Sequence, residues 1–160
     1  MQTADRIFGS SPRIHLANIS LMVLVYYVRT HYMWASLGLW EGAHLTAAAV
    51  CLGFWALIAS WSLVSLGRKI GLTVLTRGPY KYVQHPLYAA EIFFGWLIVF
   101  FLLDTWLAFV GMIIVFALAP YLVIYEEELM QRQFGDSWKT YHTSTPRFFP
   151  KLFGGDSTQQ

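Results

Sequence analysis

Two polar clusters border the apolar stretches of this chain: Arg77-Gly78-Pro79-Tyr80-Lys81-Tyr82-Val83-Gln84-His85-Pro86-Leu87-Tyr88 and Glu126-Glu127-Glu128. Ionisable groups at the mouth of a membrane helix pair are costly to keep there and mark a functional site by default. His85-Pro86 opens an apolar run, and proline suits a first helical turn, where its missing N–H would lack a partner anyway. His85 is therefore placed at a helix start, near unsatisfied backbone donors and the positive end of the helix dipole. Tyr88 and Glu91 follow on nearby turns. An interfacial belt of Tyr80, Tyr82 and Tyr88 around a capped helix start accounts for the same residues as well as a ligand pocket does.

The three glutamates lie where a later helix should leave the bilayer. Adjacent carboxylates repel, and the negative end of a helix disfavours them. A solvated helix end is one reading. A carboxylate held toward a cationic or hydroxyl-bearing ligand is the other. Helical geometry points three consecutive side chains in three directions, so they cannot all serve one site, and spacing alone does not choose among them.

Other chemistries find little footing. His15, His31, His44, His85 and His142 are dispersed, without the paired spacing of a metal site. The lone Cys51 excludes an internal disulfide and lies within an apolar run, as a small packed side chain does. No serine sits in a nucleophile elbow, and neither a dinucleotide fingerprint nor a P-loop is present.

The elements that must position the clusters are membrane helices. The 160 residues fit one domain, and 56% are hydrophobic against only 12% charged. Soluble domains average roughly a quarter charged. Four apolar segments stand out, over 14–28 (extending toward Tyr32 and Trp34), 44–66, 87–103 and 106–125. Asp104-Thr105 leaves almost no loop between the last two, which predicts a tight antiparallel hairpin. Lys and Arg concentrate in the N-terminal segment, the second connection and the tail, while the first connection has only Arg29 and the third none. The positive-inside rule then puts both termini and both polar clusters in the cytoplasm. The net charge of +2, with no basic stripe, gives no reason to expect nucleic acid. The first fifteen residues do not read as a signal peptide.

Leu129, Met130, Phe134, Trp138 and Tyr141 recur at amphipathic-helix spacing after the glutamates, with Gly135 as a break. Thr145 to Pro150 reads as extended, because both prolines disfavour helix. The expected fold is an all-α polytopic membrane protein of about four transmembrane helices plus a C-terminal amphipathic helix. Its single domain, 1–160, divides into an N-terminal segment (1–13), a helical bundle (14–125), a cytoplasmic helix and covering segment (126–150) and a tail (151–160).

Taken together, the clusters resemble a known family. Leu75-Thr76-Arg77-Gly78-Pro79-Tyr80 followed by Gln84-His85-Pro86-Leu87-Tyr88 is similar to the signature of the isoprenylcysteine carboxyl methyltransferase and phospholipid methyltransferase superfamily. Glu126-Glu127, Phe134-Gly135, Tyr141 and Pro146-Arg147-Phe148-Phe149-Pro150 resemble its tail, so the likeness runs from Leu72 to Pro150. It implies a membrane-integral, S-adenosylmethionine-dependent methyltransferase without a Rossmann domain. Residue by residue, it implies cofactor contacts at Leu72, Thr73, Val74, Leu75, Tyr80, His85, Pro86, Leu87, Tyr88 and Glu126, the last chosen by its register to Phe134-Gly135. The acceptor would be a lipophilic molecule or a membrane lipid.

The departures bear on the acceptor. Gln84 stands for the family's arginine before His-Pro, and Trp138 for its first tail tyrosine. Leu122 stands where the prenylcysteine branch has an arginine that grips the substrate carboxylate. Gln84 and Leu122 are thus candidate substrate-side residues, and they point to a neutral or amine acceptor. Glu91 and Glu127 are the candidate proton acceptors. The resemblance leaves two rivals: a nicotinamide-dependent membrane reductase related to sterol reductases, and a non-enzymatic module that keeps the fold.

Overall fold

The structure, a computed structural model, describes residues 11–32, 37–38, 41–67 and 72–150. The N-terminal segment before Ser11, the extension through Trp34 and the tail after Pro150 lie outside the described residues. Among the described residues, five α-helical elements follow in order: α1 (Ser11–His31), α2 (Glu41–Leu66), α3 (Pro86–Leu103), α4 (Leu107–Phe134) and α5 (Asp136–Ser144). No β-strand occurs among the described residues.

Among the described residues, three helices are long and apolar enough to cross a membrane: Gly42–Leu66 within α2, all of α3, and α4. This marks the chain as a membrane protein. Their outward faces carry large apolar side chains, among them Leu57, Val64, Ile113 and Leu118, as lipid contact requires. The 21 residues of α1 would suffice in length, but α1 is not among the three. Arg13, His15, Asn18 and Arg29 dilute its apolar run. The fourth span expected over 14–28 is therefore a helix without that mark.

Helix α3 turns directly into α4. Asp104 adopts a left-handed conformation (φ 48) that ends α3, and its carboxylate and carbonyl accept the backbone N–H of Gly38 and Leu37. Helix α1 packs along α4 and reaches α3, while α2 covers the other flank of α3. At the hairpin end, Arg29 of α1 donates to the Leu103 carbonyl (2.8 Å). At the opposite end, His15 and Asn18 of α1 meet Glu91 of α3. All of α1 thus runs beside α3 from one end to the other.

Ile14, Tyr88, Ile92, Trp96, Ala108, Val115, Ala119 and Val123 form the centre of the core. Trp96 is fully buried against Gly111 of α4, where any Cβ would collide with the indole ring. Gly78 has a similar task in the loop after α2. Its φ of +60 and its seat against the Ser65 side chain both exclude a larger residue. Gly135 (φ 55) breaks the helical run between α4 and α5. The segment after α5 is irregular, as its prolines dictate.

Candidate functional site

The helix start at His85-Pro86 is built as the sequence predicts: His85 is the N-cap and Pro86 the first helical residue. The His85 side chain does not cap the helix. Its Nε2 instead faces Glu127 Oε1 on α4 (3.4 Å). Arg147 closes on the same carboxylate from the tail, with Nε donating to Oε1 (2.8 Å) and a terminal guanidinium nitrogen donating to Oε2 (2.7 Å). Such a bidentate pair fixes orientation as well as charge. Glu127 is 8% exposed and His85 is buried, while Arg147 covers them from the surface.

Around it, the tail is fastened to the loop before α3. The backbone N–H groups of Gln84 and His85 donate to the carbonyls of Pro146 and Arg147. The Gln84 amide donates to the carbonyls of His142 and Thr145, and its oxygen meets His142 Nδ1 (2.9 Å). The Tyr141 hydroxyl donates to the Tyr80 carbonyl (2.6 Å). Trp138 and Tyr141 are the buried side of α5, while Lys139 and Thr140 are exposed.

Glu126 is oriented differently. The Tyr88 hydroxyl donates to its Oε2 (2.9 Å), and the residue is half-buried. The Tyr88 ring stacks on His85 (centroids 5.5 Å apart) and meets His15 edge-on (5.9 Å). The Phe148 ring also lies against His85 (5.7 Å). Burial, then the nearby Glu126 charge, push the Tyr80 phenol far above its ordinary range, so it stays a neutral donor. Glu128 points outward and pairs only with Arg132, one turn on.

Glu91 makes none of these contacts and has its own partners on α1. Asn18 Nδ2 donates to its Oε1 (3.0 Å), and His15 Nδ1 lies 2.7 Å from its Oε2. Asn18 in turn accepts from Trp96 Nε1 (3.0 Å).

The structure thus brings Tyr80, His85, Pro86, Tyr88, Glu126 and Glu127 to one end of the bundle. Leu87 is half-buried on the same turn. Leu72 and Thr73 stand exposed, Leu72 at 71%, and only Val74 and Leu75 are partly covered. Gln84, a candidate substrate residue by sequence, spends its amide on the tail. Glu127, a candidate proton acceptor, has both oxygens engaged by Arg147 and His85. Leu122 lines an apolar groove of about 280 Å³ between α1 and α4, together with Ala17, Leu21 and Leu118. This groove begins one helical turn from Glu126.

Sequence reasoning assigned no site role to Arg147, His15 or Asn18. Arg147 stands inside the Pro-Arg-Phe-Phe-Pro segment, and His15 and Asn18 are polar residues three apart in an apolar helix. Those were the available signals. Among the described residues, no three His, Cys, Asp or Glu side chains gather as metal ligands. The chain matches no protein-family model, no curated protein and no solved structure.

Proposed function

We propose that this protein is a membrane-integral, S-adenosylmethionine-dependent methyltransferase acting on a lipophilic, non-carboxylate acceptor. The observation that carries the reading is the Tyr88–Glu126 contact, which joins the two polar clusters at one bundle end beside an apolar groove. The residues present suit the cofactor. A half-buried carboxylate can take its ammonium or ribose hydroxyls. The buried, mutually packed rings of Tyr88, His85 and Phe148 form an apolar backing behind that carboxylate. Leu122 lends the adjoining groove apolar surface and no donor, which disfavours a buried carboxylate there.

When bound, S-adenosylmethionine supplies a methyl group already activated by the sulfonium. The chain then has to align the acceptor and keep water out. The tail from Trp138 to Phe148 roofs the loop and excludes water from one side. Glu127 and Gln84 hold that roof down, and Glu126 is held beside it by the Tyr88 hydroxyl. The acceptor would reach the site along the α1–α4 groove.

The same reading gives four spans with both termini and the cofactor site cytoplasmic. The Lys/Arg asymmetry supports it, as does the course of α1 beside α3 from Glu91 to Leu103. Single-cysteine labelling in a Cys51→Ser background tests the topology. A cysteine at Ser137 should resist an impermeant reagent in intact cells, and its labelling from outside would refute the arrangement. Calorimetry with S-adenosylmethionine, its demethylated product and NADPH tests the chemistry. Binding of the first two supports the reading. Binding of NADPH alone would instead indicate a reductase, and binding of none a non-enzymatic module.

A further inference from the structure

Glu91 begins a π-helical turn, Glu91–Gly95, inside α3. Such turns are rare and recur at functional sites. Its effect here is geometric. In an α-helix, residues five apart diverge by about 140°, at about 100° per residue. The wider turn brings Glu91 and Trp96 onto one face, and both meet the same side chain, Asn18. Asn18 is fully buried, and its amide is spent in both directions: it accepts from Trp96 and donates to Glu91. The Glu91 carboxylate is thereby held with Oε1 occupied and Oε2 turned toward His15, at 2.7 Å from Nδ1.

A carboxylate accepts and does not donate, so Nδ1 of His15 carries a proton in this contact. The bond made by one ring nitrogen sets the state of the other. In the neutral ring, Nε2 then keeps its lone pair. The His15 side chain is 45% exposed, whereas that of Glu91 is 17% exposed. The basic nitrogen therefore sits on the accessible member of the pair. The groups around it are Glu91 and Tyr88 from α3, with Glu126 of α4 bonded to the Tyr88 hydroxyl. On its own helix, Arg13 lies over the Tyr125 ring.

We propose that His15, oriented by Glu91, is the proton acceptor for the acceptor molecule, which is consequently a protic amine, thiol or hydroxyl. This rests on the methyl-transfer reading above. The acceptor's proton moves to Nε2 of His15. The freed lone pair on the acceptor atom forms the bond to the methyl carbon. The carbon–sulfur bond breaks with its electrons on sulfur, leaving a neutral thioether. The imidazolium formed is balanced by Glu91 and returns its proton to water. Glu91, Asn18 and Trp96 are positioning residues. A carboxylate acceptor would need no such base.

The test uses the full chain in detergent micelles, with ¹⁵N-labelled histidine. In the neutral form of the His15 ring the proton should sit on Nδ1, and Glu91→Gln should remove that preference. A neutral ring protonated at Nε2 in the wild type would overturn the assignment. In parallel, methyl transfer from radiolabelled cofactor to decylamine and decanethiol is measured. His15→Asn keeps a donor near the Nδ1 position and lacks the basic nitrogen. It should retain the wild-type melting temperature and cofactor affinity while losing at least ~100-fold in turnover. Imidazole should restore part of the activity of His15→Ala. Full turnover in His15→Asn, or loss of turnover that merely tracks a lower melting temperature without imidazole rescue, would leave His15 a structural residue. A wild type that binds no S-adenosylmethionine would overturn the underlying reading instead, which separates the two failures.

Discussion

Two polar networks meet at the start of α3, and they are built on opposite plans. One is closed. Gln84, His85, Glu127 and Arg147 satisfy one another and the tail backbone, and little of Glu127 reaches solvent. The other is open-ended. It runs from buried Trp96 through Asn18 and Glu91 to a half-exposed imidazole, beside the Tyr88–Glu126 pair. A closed network holds parts together. An open-ended one presents an oriented group to something outside itself. Glu126 and Glu127 are neighbours in sequence, yet the turn of about 100° between them assigns one to each plan.

Breaking the closed network should have the largest structural effect. Glu127→Gln leaves the Arg147 guanidinium without its counter-charge. Removing one partner of a buried pair costs about 3–5 kcal/mol, and the 39% exposure of the Arg147 side chain reduces this to about 2–3 kcal/mol. A lower melting temperature and faster proteolysis in the segment 136–150 would register it. Unchanged stability would show that the triad does not fasten the tail.

The open-ended network can be attacked from its far end. Gly111→Ala puts a methyl group into the Trp96 ring, and the ring is held by Asn18. Overpacking of this kind costs about 1–3 kcal/mol. Because Trp96 orients Asn18, methyl transfer should fall further than the loss of folded protein explains. Equal losses would mean that the relay carries no orientation to Glu91. Gln84→Leu should cost about 1–2 kcal/mol, since it strands two tail carbonyls in a partly covered site. Hydrogen exchange confined to the tail would mark this as a local loosening.

Parts of this arrangement were legible in the sequence, for local reasons. Asp104-Thr105 between two apolar runs leaves room only for a tight turn, and His85-Pro86 favours a helix start. Gly135 and the two tail prolines mark breaks. The pairings were not legible. Arg147 is 20 residues from Glu127, and Asn18 is 73 from Glu91. No periodicity links positions so far apart. Three consecutive glutamates face three ways, and only packing decides which way is inward. The same limit applied to Gln84, whose amide could serve a ligand or the tail equally well until the tail was placed. Exposure of Leu72 and Thr73 is likewise a matter of where the loop lies, which local composition does not set.

The central claim is that the Tyr88–Glu126 end of the bundle binds S-adenosylmethionine. Calorimetric titration of the purified wild type, Glu126→Gln and Glu128→Gln measures it directly. The wild type should bind at a single site. Glu126→Gln should bind roughly ten- to a hundred-fold more weakly, equivalent to about 1.5–3 kcal/mol for a lost charge-assisted contact. Glu128→Gln, which disturbs only an exposed pair with Arg132, should bind as the wild type does. No binding by the wild type, or equal weakening by both substitutions, would contradict the account.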